Sequence, residues 1–202
     1  MKRSVTQLTD KEIYRYLHNW FADSTQQERE DGVLWYKEAQ MFTNYVSDTY
    51  GIDRYKVAGV ISALSPNNKW ERNKYDAVTV IKAYLADLSP DDVKVCTYNA
   101  NKKKAFEILR GSTEITAKSP KTHSFAMNVG LMSPDHITID KWHLRACVTF
   151  SKDGIVDCME SCTAVQYRRL EALTADVAHS LGYKGYELQA IIWLTIKRVW
   201  NR

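Results

Sequence analysis

Apolar residues recur at the spacing of an α-helix along most of the chain, and polar or glycine-containing breaks separate the runs. The first run places Ile13, Leu17 and Trp20 on one helical face. It follows Thr9-Asp10-Lys11-Glu12, a Thr-x-x-Glu pattern typical of a capping box at a helix start. The pattern therefore predicts a first helix over Lys11 to Ala22.

The remaining runs predict further short helices, about eight to ten in the whole chain. We expect a loop over Asp23 to Asp31, and helix ends at Gly51, Gly111 and Gly182. The other predicted helices cover Trp35 to Val46, Val57 to Leu64, Asp76 to Leu88, Asn101 to Arg110, Pro120 to Met132, Lys141 to Phe150, Leu170 to Leu181 and Leu188 to Val199. The one strand-like strip, Ile137 to Ile139, is too short to found a sheet, so the predicted fold class is all-α.

Length and composition indicate one domain, or one fold with two lobes, because 202 residues suffice to bury a sizeable core. The formal net charge of +4 permits nucleic-acid binding without establishing it. No His lies beside the one close cysteine pair, Cys158 and Cys162, so we expect free thiols and no metal site. The chain has neither an apolar run of roughly 18 residues nor a signal-peptide pattern at its N-terminus. We therefore expect a cytoplasmic protein that does not contact a membrane, and the sequence leaves a bacterial or viral source open.

Lys121 stands where a helix should begin, because Ser119 suits an N-cap and Pro120 suits the first helical position. The positive end of a helix disfavours a protonated amine, and Lys118 adds a second cation nearby. A free amine is the form that a Schiff-base nucleophile requires. Lys121 is therefore a candidate nucleophile. The alternatives are a solvated surface lysine and a phosphate contact without chemistry.

Asp140 follows the apolar strip Ile137-Thr138-Ile139 and lies 19 residues after Lys121. A carboxylate at a helix start can stabilise positive charge at a sugar carbon or help to activate an attacking group. The alternative is a plain N-cap, worth about 1 kcal/mol. Lys121 and Asp140 are together the candidate catalytic pair.

The densest polar break between two apolar runs extends from Ser65 to Asn73. Its amide, indole and cationic side chains suit hydrogen bonds to base edges, stacking on a base and contacts with phosphate. These candidates are Asn67, Asn68, Lys69, Trp70 and Arg72. Lys102, in a basic run that continues to Lys104, is a further candidate phosphate contact. The alternatives are a helix–helix turn with Trp70 in the core, and a solvated face for the basic run.

Four segments, in this order, resemble the helix-hairpin-helix DNA glycosylase superfamily, the group that contains the endonuclease III-like enzymes. They resemble the family's helix ending in Leu-Ser-x-Gln, its Tyr-Asn-x-Lys-Ala segment, its Arg-Lys-Thr-Ala helix start with a later Asn, and its Val-Asp-Thr-His-x-x-Arg element. The matching segments are Val57 to Asn67, Tyr98 to Ala105, Pro120 to Asn128, and Ile137 to Arg145. The resemblance covers residues 33 to 150 and is weaker in the last two helices.

The resemblance implies two α-helical lobes with a DNA cleft between them. The central lobe would cover about residues 51–134, and the second lobe would combine 1–50 with 135–202. Lys121 would form a Schiff base with the sugar, Asp140 would be the essential carboxylate, and Asn67 would enter the gap left by a flipped base. Lys118, Ser119 and His143 lie in or beside the matching segments and would contact DNA. The implied protein is a monomer that binds damaged or abasic double-stranded DNA.

Two departures from the family pattern leave other functions open. The family's glycine-rich hairpin is replaced by Thr116 to Ser119, and its four-cysteine motif is absent, so we expect no iron–sulfur cluster and no other cofactor. A glycosylase with AP-lyase activity, or an enzyme that works on abasic sites made by a partner glycosylase, is the first hypothesis. The alternatives are an enzyme that processes a modified base on the same scaffold and a non-catalytic module that binds DNA or a protein.

Overall fold

The computed structural model describes residues 4–151, 158 and 161–200, and over these residues the fold is all-α, which confirms the predicted class. The α-helices are α1 (Asp10–Ala22), α2 (Gln26–Tyr50), α3 (Arg54–Leu64), α4 (Trp70–Leu85), α5 (Asn99–Arg110), α6 (Pro120–Leu131), α7 (Lys141–Val148), α8 (Ala164–Ser180) and α9 (Gly185–Trp200). Short 3₁₀ turns lie at Val5–Gln7 and Pro90–Asp92. Within this described part of the chain, no helix is long and apolar enough to cross a membrane.

The chain divides into two compact units. The terminal unit combines Met1–Glu38 with Met132–Arg202, and the central unit is Ala39–Leu131. The division falls inside α2, which contributes residues to both units. Lys121 therefore belongs to the central unit, and Asp140 belongs to the terminal unit.

In the terminal unit, α1 is part of the core, because it packs against α7, α8 and α9. Trp20 is fully buried, and its indole N–H donates to the Thr149 carbonyl oxygen over 2.8 Å. The guanidinium of Arg169 on α8 donates to the carbonyl oxygens of Val5 and Leu8, which fixes the segment that precedes α1. The first helix has the predicted capping box at Thr9 and is integral to this unit.

In the central unit, α3 is the innermost helix. Every residue from Val57 to Leu64 is buried, and α3 packs against α4, α5 and α6. This explains the nearly continuous apolar run in the sequence, since a helix surrounded by others has no face for water. α5 and α6 lie against α3, and Ile115 in the connection between them faces Gly59 of α3.

The loop predicted over Asp23 to Asp31 is wrong, because α2 begins at Gln26. Thr25 and Glu28 form reciprocal hydrogen bonds: the Thr25 N–H donates to the Glu28 carboxylate over 2.8 Å, and the Glu28 N–H donates to the Thr25 hydroxyl over 3.1 Å. Arg198 of α9 donates to the same carboxylate over 2.6 Å. These polar residues therefore start a helix rather than a loop, and a Thr-x-x-Glu pattern was the sequence signal.

The predicted start of the fourth helix at Asp76 is also wrong, because α4 begins at Trp70. The Asn73 N–H donates to the Lys69 carbonyl oxygen over 2.8 Å, so helical bonding starts within the polar stretch. In addition, α7 ends at Val148 rather than Phe150. The predicted helix ends at the three glycines are confirmed, since Gly51, Gly111 and Gly182 have φ angles of 63°, 77° and 78°.

Gly32 lies at a close approach of α2 to α9 in the terminal unit. A Cβ atom there would lie 2.4 Å from Ile191 Cγ1, 2.8 Å from Ile191 N and 2.9 Å from Ile191 Cα. Because two of these atoms are backbone, α9 itself would have to move. We expect Gly32→Ala to lower the free energy of unfolding by about 2 kcal/mol, although alanine favours a helix, as measured by urea denaturation.

Gly59→Ala in α3 is the matched control, because its Cβ would meet a side-chain atom, Ile108 Cγ2, at 3.1 Å. That methyl group can shift by a few tenths of an ångström, so the loss should be smaller. Equal losses at Gly32 and Gly59 would contradict a backbone clash at Gly32.

Candidate functional site

Lys121 is exposed in the first turn of α6, which begins at Pro120 as predicted. The first intrahelical bond runs from the His123 N–H to the Ser119 carbonyl oxygen over 2.9 Å, so Ser119 occupies the N-cap position. Lys118 and Ser119 are also exposed in the connection before the helix. An exposed amine over the first turn of a helix is therefore in place, with a second lysine just before it.

Asn67 lies at the exposed tip of the α3–α4 loop with φ 58°, in the left-handed region. Residues other than glycine rarely adopt this conformation, and asparagine is one of the few that tolerate it. Its amide Nδ2 donates to the hydroxyl of Tyr98 over 3.1 Å, and the Tyr98 side chain is itself exposed. The loop therefore presents a preoriented amide beside an exposed aromatic ring.

A fully buried carboxylate, Asp76, holds this loop together. It accepts hydrogen bonds from Asn68 Nδ2 over 3.0 Å, from Arg72 Nε over 2.9 Å and from the Cys96 N–H over 2.9 Å. Asp76 therefore ties the loop, through Asn68, and the segment that leads into Tyr98, through the Cys96 N–H, to α4. The side chains of Asn68 and Arg72 are both engaged with this carboxylate. Neither Asp76 nor Tyr98 was predicted as a site residue, although Tyr98 opens the segment that resembles the family's Tyr-Asn-x-Lys-Ala element.

The loop and the start of α6 lie at the same end of the central unit. The Ser62 hydroxyl in the last turn of α3 donates to the Thr122 carbonyl oxygen in the first turn of α6 over 2.6 Å. Trp70, just after the loop, packs edge-on against Phe125 of α6 with ring centroids 6.4 Å apart. This end of the unit thus carries both the Asn67 loop and Lys121.

Trp70 contributes to packing at this end of the central unit. Its ring also meets Phe42 edge-on, with centroids 6.2 Å apart, and Lys74 Nζ lies 5.6 Å from its centroid. Lys69, the residue before it, is exposed, as a phosphate contact requires. Trp70 is partly exposed and packs against aromatic rings of the turn, and its predicted stacking on a base stays a prediction.

Lys102 does not suit the predicted phosphate contact. Its side chain is only 7% exposed, and its ammonium donates to the Val93 carbonyl oxygen over 2.8 Å. A buried ammonium that is held by a backbone acceptor is not presented to a ligand. Its neighbour Lys103 is exposed.

Asp140 caps α7 in the terminal unit, as predicted. Its Oδ1 accepts from the Trp142 N–H over 3.0 Å and from the His143 N–H over 2.8 Å. The residue is intermediate in exposure, whereas Ile137 and Ile139 before it are buried. Two backbone N–H groups of α7 therefore orient the Asp140 carboxylate.

His143 does not suit the predicted DNA contact, because it is 1% exposed in the core of the terminal unit. Its Nε2 lies 2.9 Å from the Thr174 hydroxyl, and that hydroxyl donates to the Leu170 carbonyl oxygen over 2.7 Å. Thr174 can therefore only accept from the ring, which assigns the proton to Nε2 and leaves Nδ1 as a buried acceptor without a hydrogen bond. Burial lowers the pKa of His143 to about 3.

The low pKa of His143 makes the stability of this unit depend on pH. In the unfolded chain the ring takes up a proton near its ordinary pKa of 6.5, whereas in the folded chain it stays neutral down to about 3. The stabilisation is therefore complete above pH 6.5 and is lost as pH falls towards 3. Urea denaturation of His143→Leu at pH 7.5, 6.5, 5.5 and 4.5 should show a weaker pH dependence, by about 1 kcal/mol per pH unit.

His179→Leu provides the control, because it removes a histidine from an exposed position of the same unit. If the free energy of unfolding varied with pH in the same way for the wild type and His143→Leu, this result would contradict a neutral buried ring.

The net charge of the chain resides in the central unit. Residues 39–131 contain 13 Lys and Arg and 9 Asp and Glu, a surplus of +4, whereas the remaining residues contain 15 of each. A polyanion would therefore be attracted mainly to the unit that carries the Asn67 loop and Lys121. Among the residues that the structure describes, no three His, Cys, Asp or Glu side chains could hold a metal ion together, and the four cysteines form no disulfide.

Comparison with known protein families gives one match, and it spans both units of the chain. No curated protein matches the chain, and no solved structure matches it. The model of the family of unknown function DUF7178 matches residues 1–199, nearly the whole sequence. The chain therefore belongs to the DUF7178 family.

Proposed function

We propose that the protein is a DNA glycosylase and AP-lyase-like enzyme that acts on damaged, modified or abasic double-stranded DNA. The observation that carries this proposal is the end of the central unit, where exposed Lys121 in the first turn of α6 and the left-handed Asn67 loop lie at the same end. The charge surplus of that unit supports a polyanionic substrate.

The amine of Lys121 acts as the nucleophile. At an abasic site it adds to the C1′ aldehyde carbon, and the carbonyl oxygen leaves as water, which gives a protonated imine. Loss of the C2′ proton then breaks the C3′–O bond, and the 3′ phosphate departs with that electron pair. Where a base is still attached, attack at C1′ instead expels the base with the electrons of the glycosidic bond.

Asn67 takes the place of the nucleotide that leaves the stack. Extrusion of a nucleotide costs a few kcal/mol, least at a damaged or abasic position. An amide that is already oriented by Tyr98 and by the left-handed backbone loses little conformational freedom when it enters the duplex. Lys69, Lys118 and Ser119 are exposed at the same end of the unit, where they would contact the phosphates.

Asp140 supplies the negative charge. A carboxylate that is oriented by two N–H donors stabilises a developing positive charge without a prior rearrangement, which is the most effective form of electrostatic catalysis. This assignment explains why the carboxylate stands at a helix start, where two backbone N–H groups orient it.

Borohydride trapping tests the proposed function directly. The wild-type protein is incubated with a duplex that contains one abasic, uracil, oxidised or alkylated position, in the presence of sodium borohydride. Hydride reduces the imine to a stable amine, so a covalent protein–DNA band is expected with at least one of these duplexes and not with unmodified DNA.

The results with these duplexes also distinguish the proposed enzyme from a binding module and from a base-processing enzyme. Salt-dependent binding to every duplex, with neither a covalent band nor strand cleavage, would indicate a binding module and contradict the proposed chemistry. Release of a modified base without strand cleavage would indicate a base-processing enzyme without lyase activity.

A further inference from the structure

The segment Ile137–Thr138–Ile139, which leads into Asp140, is held by side chains from a distant helix. The Tyr167 hydroxyl on α8 donates to the Ile137 carbonyl oxygen over 2.8 Å and accepts from the Ile139 N–H over 3.0 Å. One hydroxyl group thus bridges two backbone groups of the same segment. Buried backbone groups need such partners, because an unpaired one costs free energy comparable to a lost hydrogen bond.

A second side chain of α8 adds another backbone contact to this segment. The Glu171 carboxylate accepts from the Ile137 N–H over 3.2 Å and is 8% exposed. Its other oxygen accepts from Arg168 over 2.6 Å, so the buried carboxylate is paired. Gly185 leaves the room that the Ile137 side chain fills, because a Cβ there would lie 2.4 Å from Ile137 Cδ1.

The side chain of Thr138 is held from the other direction by α2 and α9. The buried Tyr36 hydroxyl donates to Gln189 Oε1 over 2.8 Å and also shares a hydrogen bond with Thr138. Burial raises the pKa of Tyr36 far above its ordinary value; the bond with Thr138 opposes this, and the charge of Asp140 adds to it. The phenol therefore stays protonated beside the carboxylate.

These contacts leave the Asp140 backbone little freedom. Its N–H donates to the Thr138 carbonyl oxygen over 3.1 Å, so the residue is tied to the segment before it as well as to the helix after it. A shift of Thr138 or Ile139 would be passed directly to the position of the carboxylate.

We infer that Tyr167, Glu171 and Tyr36 are positioning residues that fix the Asp140 carboxylate for its proposed role in cleavage. This assignment rests on the proposed function. Because a misplacement of about 1 Å can cost on the order of 100-fold in rate, we expect Tyr167→Phe to slow single-turnover cleavage about 10-fold or more. The affinity for DNA should not change, since Tyr167 is buried among terminal-unit residues.

A double-mutant cycle with Asp140→Asn separates positioning from a general loss of structure. If Tyr167 acts through the carboxylate, Tyr167→Phe should not slow the residual cleavage by Asp140→Asn any further. Tyr14→Phe is the matched control, because it removes a tyrosine hydroxyl that bonds to Ser180 on the exposed surface of the same unit. This control should cleave at the wild-type rate.

Substitutions of Glu171 test the positioning role independently of Tyr167. Glu171→Gln retains an oxygen that can accept from the Ile137 N–H and should keep most of the cleavage rate, whereas Glu171→Leu should lose it as Tyr167→Phe does. Full activity of Tyr167→Phe, or an equal loss in the wild-type and Asp140→Asn backgrounds, would overturn the positioning role alone. Absence of cleavage by the wild-type protein on every duplex would overturn the proposed function itself.

Discussion

Lys121→Ala is expected to abolish the borohydride-dependent cross-link and to slow strand cleavage by at least about 10³-fold. Removal of a nucleophile eliminates the covalent route, and the exposed position of Lys121 means that the fold loses no buried contact. Single-turnover cleavage of a duplex with one abasic site, followed by denaturing gel electrophoresis, gives both the covalent band and the rate.

Lys118→Ala is the matched control, since it removes the same charge from an exposed position three residues earlier. It should weaken DNA binding, more so at low salt, and retain the cross-link. A cross-link that persists in Lys121→Ala, or that disappears only in Lys118→Ala, would assign the nucleophile to another lysine.

Asp140→Asn should lower the single-turnover rate by a factor of about 10²–10³, with little effect on stability. Asparagine is as good an N-cap as aspartate, so the bonds from the Trp142 and His143 N–H groups can persist while the charge is lost. The cleavage rate and the free energy of unfolding are measured on the same preparation. We expect the cleavage rate to fall and the free energy of unfolding to stay the same.

Asp53→Asn supplies a control with the same local chemistry. Asp53 caps α3 and accepts from the N–H groups of Tyr55 and Lys56, as Asp140 does at α7. Its replacement should leave the cleavage rate unaltered. A similar cleavage rate for Asp140→Asn and the wild type would show that Asp140 acts only as a helix cap.

Local sequence patterns predicted the helices well wherever the stabilising partners are close in sequence. The start of α6 at Pro120 and the cap of α7 at Asp140 depend on groups within three residues, so residue type and spacing suffice. The start of α2 was misplaced because its first turn is polar and the Thr25–Glu28 capping pair was not recognised. The start of α4 was misplaced because its N-cap, Lys69, makes no side-chain capping bond that a sequence pattern could mark.

Site residues were predicted less well where burial depends on distant parts of the chain. Lys102 and His143 carry functional groups that suit DNA, but Val93 and Thr174 occupy those groups in the interior. The residues that hold the segment before Asp140 come from as far away as Tyr36 in α2, and no local pattern marks them. Hydrophobic periodicity reports which face is buried and not which polar groups meet there.

The aromatic contact at the end of the central unit has a spectroscopic consequence. Trp70 is the one tryptophan among residues 39–131, and its ring lies near Phe125 of α6 and the ammonium of Lys74. Indole emission responds to nearby charge and polarity, so the difference between the spectra of the wild type and Trp70→Phe reports on this end alone. Engagement of a phosphate backbone there would be visible in the unlabelled protein as a change in that difference spectrum.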